Sequence, residues 1–170
     1  YEEVPGIHHI WGDGDHSAWR RSEPLLQRIN TVSEEALDID VLCSAPHEAV
    51  RALGEAAALY QRQLEEANAL DFSTIQYEAL RLLRTQLAVR DAMRAKISYM
   101  MVDEYQDTNT IQEQILRELA GEHPNLCVVG DDDQGLYRFR GATIRNILQF
   151  RETFVDGECA QVKLTVNYRS

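Results

Sequence analysis

The 170-residue sequence predicts a doubly wound α/β layer preceded by a mainly helical segment. Three observations predict it. Ile97 to Val102 is a continuous apolar run that ends in Asp103-Glu104, the pattern of a parallel strand covered on both faces. A second short run, Leu126 to Val129, ends at Gly130-Asp131. Stretches of helical period precede and separate these runs, and strand alternating with helix is the signature of a parallel sheet.

In chain order, the residues up to about Trp19 are rich in Gly, His and Asp and show no period, which reads as a loop. His8-His9 and Asp13-Gly14-Asp15-His16 carry metal-ligand types, but no second ligand set with matching spacing accompanies them. From Pro46 to about Ala67, apolar Val50, Leu53, Ala57, Tyr60 and Leu64 recur at intervals of three and four, the stripe of an amphipathic helix. A second helix opens at Asp71, a good N-cap, with Phe72, Ile75, Ala79, Leu82 and Leu83 on one face. After the first strand, Thr110 and Glu113 form a possible capping box for a helix that turns Ile111, Ile115, Leu116 and Leu119 inward. Gly121 and Pro124 are its stop signals. A further helix fits Thr143 to about Phe154, and a third strand fits Gln161 to Val166. A sheet of about three strands is small for an independent domain.

Composition excludes some classes. No apolar run approaches the roughly 20 residues needed to span a bilayer, and the acidic Tyr1-Glu2-Glu3 is unlike the basic start of a signal peptide. The three cysteines, Cys43, Cys127 and Cys159, are far apart and form no CxxC pair. That pattern fits a reduced, cytoplasmic protein, with Cys127 a small core residue inside its apolar run. A net charge of −11 disfavours a nucleic-acid partner on average. Locally the balance reverses. Between Asp103 and Asp133 the only Arg or Lys is Arg117, whereas from Gln134 to Arg151 there is no acid and Arg138, Arg140, Arg145 and Arg151 cluster.

Ligands of an open parallel sheet bind beyond the carboxyl ends of its strands. Both apolar runs end in acids, Asp103-Glu104 and Asp131-Asp132-Asp133. An Asp with an adjacent Glu suits metal-assisted phosphoryl transfer, one carboxylate holding Mg²⁺ and the other orienting or deprotonating a water.

The surrounding strings are more specific. Val102-Asp103-Glu104-Tyr105-Gln106-Asp107-Thr108-Asn109 closely resembles the Walker B motif of the UvrD/PcrA/Rep branch of superfamily 1 DNA helicases. Gly130 to Ala142, with Gln134, Tyr137, Arg138, Phe139 and Arg140, is similar to the family's next motif, which couples ATP to DNA. Asn167-Tyr168-Arg169-Ser170 resembles the start of its fourth motif, and Asn68-Ala69-Leu70-Asp71-Phe72 another family element. The matches stand in family order and cover about Tyr60 to Ser170.

The resemblance implies a helical arm over residues 1–89 and, over residues 90–170, the middle of a RecA-like (P-loop NTPase) motor domain. It implies ATP and Mg²⁺ as cofactors, and single-stranded DNA and duplex junctions as partners. Asp103 would bind Mg²⁺, Glu104 would activate the attacking water, and Gln134 would sense the γ-phosphate. Arg140 would sit near the γ-phosphate and the carboxylates, Arg169 would contact the γ-phosphate, and Tyr168 would stack on the adenine. Tyr137 and Phe139 alternate with arginines, so in an extended segment both rings could face one side. The resemblance gives them to single-stranded DNA, where stacking is worth roughly 1–3 kcal/mol per base whatever the base. Translocation in the family usually runs 3′ to 5′.

Two departures stand out. Gly135 occupies a position where Ser or Ala is more usual. The only lysines are Lys96 and Lys163, and neither follows a glycine, so the chain holds no Gly-Lys-Ser/Thr phosphate-binding loop. The sequence is therefore expected to be an internal piece of a helicase, inactive by itself and lacking the Walker A region and second motor domain. The alternative is a non-catalytic, helicase-derived module that binds DNA or a partner.

Overall fold

A computed structural model describes residues 18–121, 125–131, 149–154 and 159–166. Five helices come first: α1 (Ala18–Glu34), α2 (Ile39–Cys43), α3 (Glu48–Glu66), α4 (Phe72–Thr85) and α5 (Leu87–Arg94). Then follow β1 (Met100–Val102), a 3₁₀ turn (Tyr105–Asp107), α6 (Thr110–Ala120), β2 (Leu126–Val128) and α7 (Phe150–Phe154). The result is a mixed α/β arrangement with a small parallel sheet and flanking helices. No helix of the described residues is long and apolar enough to cross a membrane.

The helical half is built on α1 and α3. Leu25, Ile29 and Val32, four and three residues apart on α1, meet Ala52, Ala56 and Ala57 of α3, with Ile39, Leu42, Leu53, Leu59 and Tyr60 packed around them. Pro24 lies inside α1, on its exposed side. The expected stripe of α3 is present, but only Ala57 of it is fully buried; Val50, Leu53, Tyr60 and Leu64 are half-buried. The deepest line is made of small residues because another backbone lies directly on it. A Cβ added to Gly54 would lie 2.7 Å from the Cys43 amide nitrogen and 2.8 Å from the Leu42 carbonyl carbon.

Asp71 caps α4 as its position predicts. Its Oδ1 accepts the Thr74 amide at 2.7 Å, and the Thr74 hydroxyl oxygen accepts the Asp71 amide at 2.8 Å. The Tyr60 hydroxyl of α3 donates to Asp71 Oδ2 at 2.6 Å, so one carboxylate joins two helices. Burial pushes this acid up, but hydrogen bonds from Tyr60 and from the Thr74 and Ser73 region outweigh it and hold the pKa below the usual value. A carboxylate with a depressed folded pKa contributes stability above its unfolded pKa of about 3.9. That stability is lost as pH falls through the folded value. Asp71→Ala should therefore cost about 1–2 kcal/mol at neutral pH. In urea titrations the difference from the unmodified chain should shrink as pH is lowered below 4; a gap that persists at pH 2 would show that the carboxylate charge is irrelevant.

The face predicted for α4 is corrected. Of Phe72, Ile75, Ala79, Leu82 and Leu83, only Leu83 is buried, and Phe72 is 88% exposed with Ile75 and Leu82 also outside. The buried line is Ser73, Thr74, Leu80 and Leu83, which faces α1 and α6. Polar ties fix that orientation: Ser73 Oγ donates to Glu34 Oε1 at 3.4 Å, and Asn109 Nδ2 to Gln76 Oε1 at 3.5 Å. Apolar period identifies a helix face, but neighbours decide which face is covered.

The strands β1 and β2 pair in parallel, with Met100 opposite Leu126, Met101 opposite Cys127 and Val102 opposite Val128. The expected strand from Ile97 is shortened, because α5 ends in a turn that takes the Lys96 and Ile97 amides onto the Met93 and Arg94 carbonyls. Coverage on both faces is also corrected: Tyr99, Met101 and Val129 are exposed, and so is Cys127, which is no core residue. Nor do residues 161–166 form a strand; Val162, Leu164 and Val166 are exposed. Strand propensity needs an edge to pair with, and the β1–β2 sheet takes no third strand from this segment.

The N-cap of α6 lies one residue earlier than predicted. Asn109, not Thr110, is the N-cap: its side chain accepts the Gln112 amide at 2.9 Å, and Gln112 Oε1 accepts the Asn109 amide at 3.2 Å. Thr110 instead donates to Glu35 Oε2. Ile111 is fully buried, and Ile115, Leu116 and Leu119 are half-buried. Gly121, at φ 70°, ends the helix as expected. Only the last turns of the helix expected over residues 143–154 fall within the described residues, as α7. Pro124 and the His- and Asp-rich residues up to 17 lie outside them.

Candidate functional site

Asp103 and Glu104 leave the carboxyl end of β1 and are both exposed. The next two residues, Tyr105 and Gln106, are 0% and 1% exposed. This reversal, two carboxylates out and two large side chains in, is made by one residue. Glu104 takes the left-handed conformation at φ 50° and ψ 42°, which costs a non-glycine residue about 1–2 kcal/mol. Strain of this kind persists only where the surroundings over-determine it.

Here they do. The Glu104 amide donates to Asp103 Oδ1 at 2.9 Å, and the Asp107 amide donates to the Glu104 carbonyl at 2.8 Å. The Tyr105 amide donates to the Val129 carbonyl at 2.9 Å, and the Val129 amide to the Val102 carbonyl at 2.8 Å, carrying the sheet's pairing past the strand ends. Thr108 Oγ1 closes the turn on the Tyr105 carbonyl at 2.7 Å. On the carboxylate side, Gln106 Nε2 donates to Glu104 Oε2 at 2.7 Å. Gln106 Oε1 accepts the amide of Asp131, just past β2, at 3.0 Å.

Beneath the turn, the Tyr105 ring meets Phe150 of α7 edge-on, with centroids 5.5 Å apart at 82°. Burial pushes its phenol far above the ordinary tyrosine range, the Glu113 charge adds to this, and Arg117 opposes it. Among the described residues the buried hydroxyl has no hydrogen-bond partner, and neither does Asp107 Oδ1. Tyr105→Phe removes a desolvated group without breaking a bond. It should leave stability unchanged or raise it by up to about 1–3 kcal/mol. A fall of the denaturant midpoint in Tyr105→Phe would mean that the hydroxyl is bonded in solution.

Of the residues read from sequence as functional, the structure brings Asp103 and Glu104 together at the end of β1, with Asp131 held beside them through Gln106. Gln134, Tyr137, Phe139, Arg140, Tyr168 and Arg169 lie outside the described residues. Among the described residues no three His, Cys, Asp or Glu side chains form a metal-binding group. The sequence places Tyr105 and Gln106 within the Walker B-like string but gives them no role, and nothing local says that they turn inward.

These features define a class: a helix-flanked parallel α/β domain that carries an acid pair just beyond the carboxyl end of a strand. The chain belongs to the UvrD/REP helicase family, whose N-terminal domain description matches residues 13–155. It is 38% identical to the ATP-dependent DNA helicase UvrD1 of Mycobacterium tuberculosis over 86% of this chain and 20% of that protein. It is 43% identical to the ATP-dependent DNA helicase PcrA of Staphylococcus aureus over 65% of this chain and 15% of that protein. The Mycobacterium bovis UvrD1 matches with the same identity and coverage as the M. tuberculosis protein. The chain thus spans about a fifth of the length of the UvrD1 relatives it matches.

Proposed function

We propose that this chain is the coupling segment of an ATP-dependent DNA helicase or translocase, which turns Mg-ATP hydrolysis into movement along single-stranded DNA in the 3′ to 5′ direction. Residues 1–89 serve as its helical arm, and residues 90–170 as part of a RecA-like motor domain. The reading is carried by one observation: within the family-matched region, the Asp103-Glu104 pair projects from a parallel strand end, with Glu104 held by Gln106.

The donor set fits Mg²⁺. Carboxylate oxygens are the hard ligands this ion prefers, and it commonly takes only one or two from protein, the rest being water and substrate phosphates. Asp103 would hold the ion, which when bound offsets charge on the phosphates. Glu104 takes the proton of the attacking water. Gln134, Arg140 and Arg169 complete the reading at the γ-phosphate, Tyr168 at the adenine, and Tyr137 and Phe139 on single-stranded DNA at duplex junctions. A cytoplasmic location belongs to the same proposal, supported by three distant cysteines that form no CxxC pair.

A second reading is a non-catalytic, helicase-derived module that binds DNA or a partner; it is compatible with a chain in which neither Lys96 nor Lys163 follows a glycine. One measurement separates the readings, and a second tests what the lysines imply. The whole protein carrying these residues should hydrolyse Mg-ATP faster when single-stranded DNA is added; no stimulation would favour the binding module. The 170-residue chain alone should show no saturable Mg-ATP binding by calorimetry. Micromolar binding would mean that these residues grip nucleotide without a Gly-Lys-Ser/Thr loop.

A further inference from the structure

We propose that Gln106 is a positioning residue that holds the Glu104 carboxylate to the backbone at the end of the neighbouring strand, so that a shift at Asp131 reaches the catalytic acid. This role rests on the reading of Glu104 as the base.

Gln106 is 1% exposed, although it stands two residues from an acid pair in solvent. A buried primary amide is tolerated only where its polar atoms are paired. Both ends are used. Nε2 donates to Glu104 Oε2 at 2.7 Å, and Oε1 accepts the Asp131 amide at 3.0 Å. The partners also fix which end is which, since a carboxylate only accepts and a backbone N–H only donates. A side chain that merely filled this space would need neither group. The two contacts are on different strands: Glu104 follows β1, and Asp131 follows β2 and leads in sequence to Gln134, Tyr137 and Arg140. Glu104 projects from a left-handed turn into solvent, and among the described residues the Gln106 amide restrains its carboxylate.

Two variants separate the contacts. Gln106→Met keeps the volume and removes both hydrogen bonds. Gln106→Glu keeps an acceptor for the Asp131 amide but removes the donor to Glu104. In the ¹⁵N-labelled chain, exchange of the Asp131 amide should quicken about tenfold in Gln106→Met and stay near the unmodified rate in Gln106→Glu. In the whole protein, both variants should lower the kcat of DNA-stimulated ATP hydrolysis by about tenfold or more while KM for ATP stays within about twofold. Thermal unfolding of each variant distinguishes lost turnover from lost fold, and whichever variant folds carries the test. Unchanged Asp131 exchange in Gln106→Met, or normal kcat in either folded variant, would overturn the proposal. Glu104→Gln is measured alongside. If it abolishes turnover while folded Gln106 variants keep theirs, only the positioning role falls. If it retains turnover, the base itself is misassigned and the role of Gln106 falls with it.

Discussion

Glu104→Gln should reduce DNA-stimulated ATP hydrolysis by the whole protein by about 10²–10⁴-fold, the usual contribution of a positioned general base. The substitution is nearly isosteric. The Gln106 amide can still donate to an oxygen at residue 104, and the Asp103 contact uses the residue 104 backbone amide, which is unchanged. Local geometry and nucleotide binding should therefore persist, so the loss should fall on kcat with KM for ATP little altered. A steady-state titration of ATP at saturating single-stranded DNA reads both constants. Turnover within a few-fold of the unmodified protein would remove Glu104 as the base and direct attention to Asp107, whose Oδ1 is buried without a partner among the described residues.

The second large effect is expected far from the acids. Leu25→Ala should destabilise the chain by about 2–5 kcal/mol, the range for emptying a fully buried leucine site. Leu25 is 1% exposed and faces the alanines of α3, which have no long side chains with which to refill the space. The chain is short, so this corresponds to a fall in melting temperature on the order of 10 °C. Differential scanning calorimetry of the chain measures it. A shift of only a degree or two would mean that α1 is not packed on α3 in solution. Because α1 also packs on α4 and α6, the element that follows the acid turn, the same substitution should quicken amide exchange in α6.

Several features of the site were legible in the sequence for local reasons. The apolar run ending in Asp103-Glu104 places an acid pair beyond a strand wherever the strand starts. Asp71 caps α4 through atoms three residues away, and Gly121 ends α6 because its own φ is positive. The capping box of α6 was displaced by one residue, since Asn109 and Thr110 are both competent caps and only the three-dimensional setting assigns Thr110 to Glu35. The α1 helix escaped notice because Pro24 interrupts its pattern just before Leu25, Ile29 and Val32 begin theirs.

What the sequence by itself determined is therefore the acid pair, its strand, the helix boundaries near good caps, and the motif order that marks the family. Each of these depends on residues a few positions apart. Tertiary structure alone decided which face of α4 is covered, that Cys127 lies outside, that residues 161–166 form no strand, and that Tyr105 and Gln106 turn inward beneath the exposed acids. Those outcomes depend on partners distant in the chain: α1 and α6 for α4, a strand edge for residues 161–166, and Phe150, Val129 and Asp131 for the turn. Period and propensity say which residues can share a face or a strand, but burial and pairing depend on what packs against them.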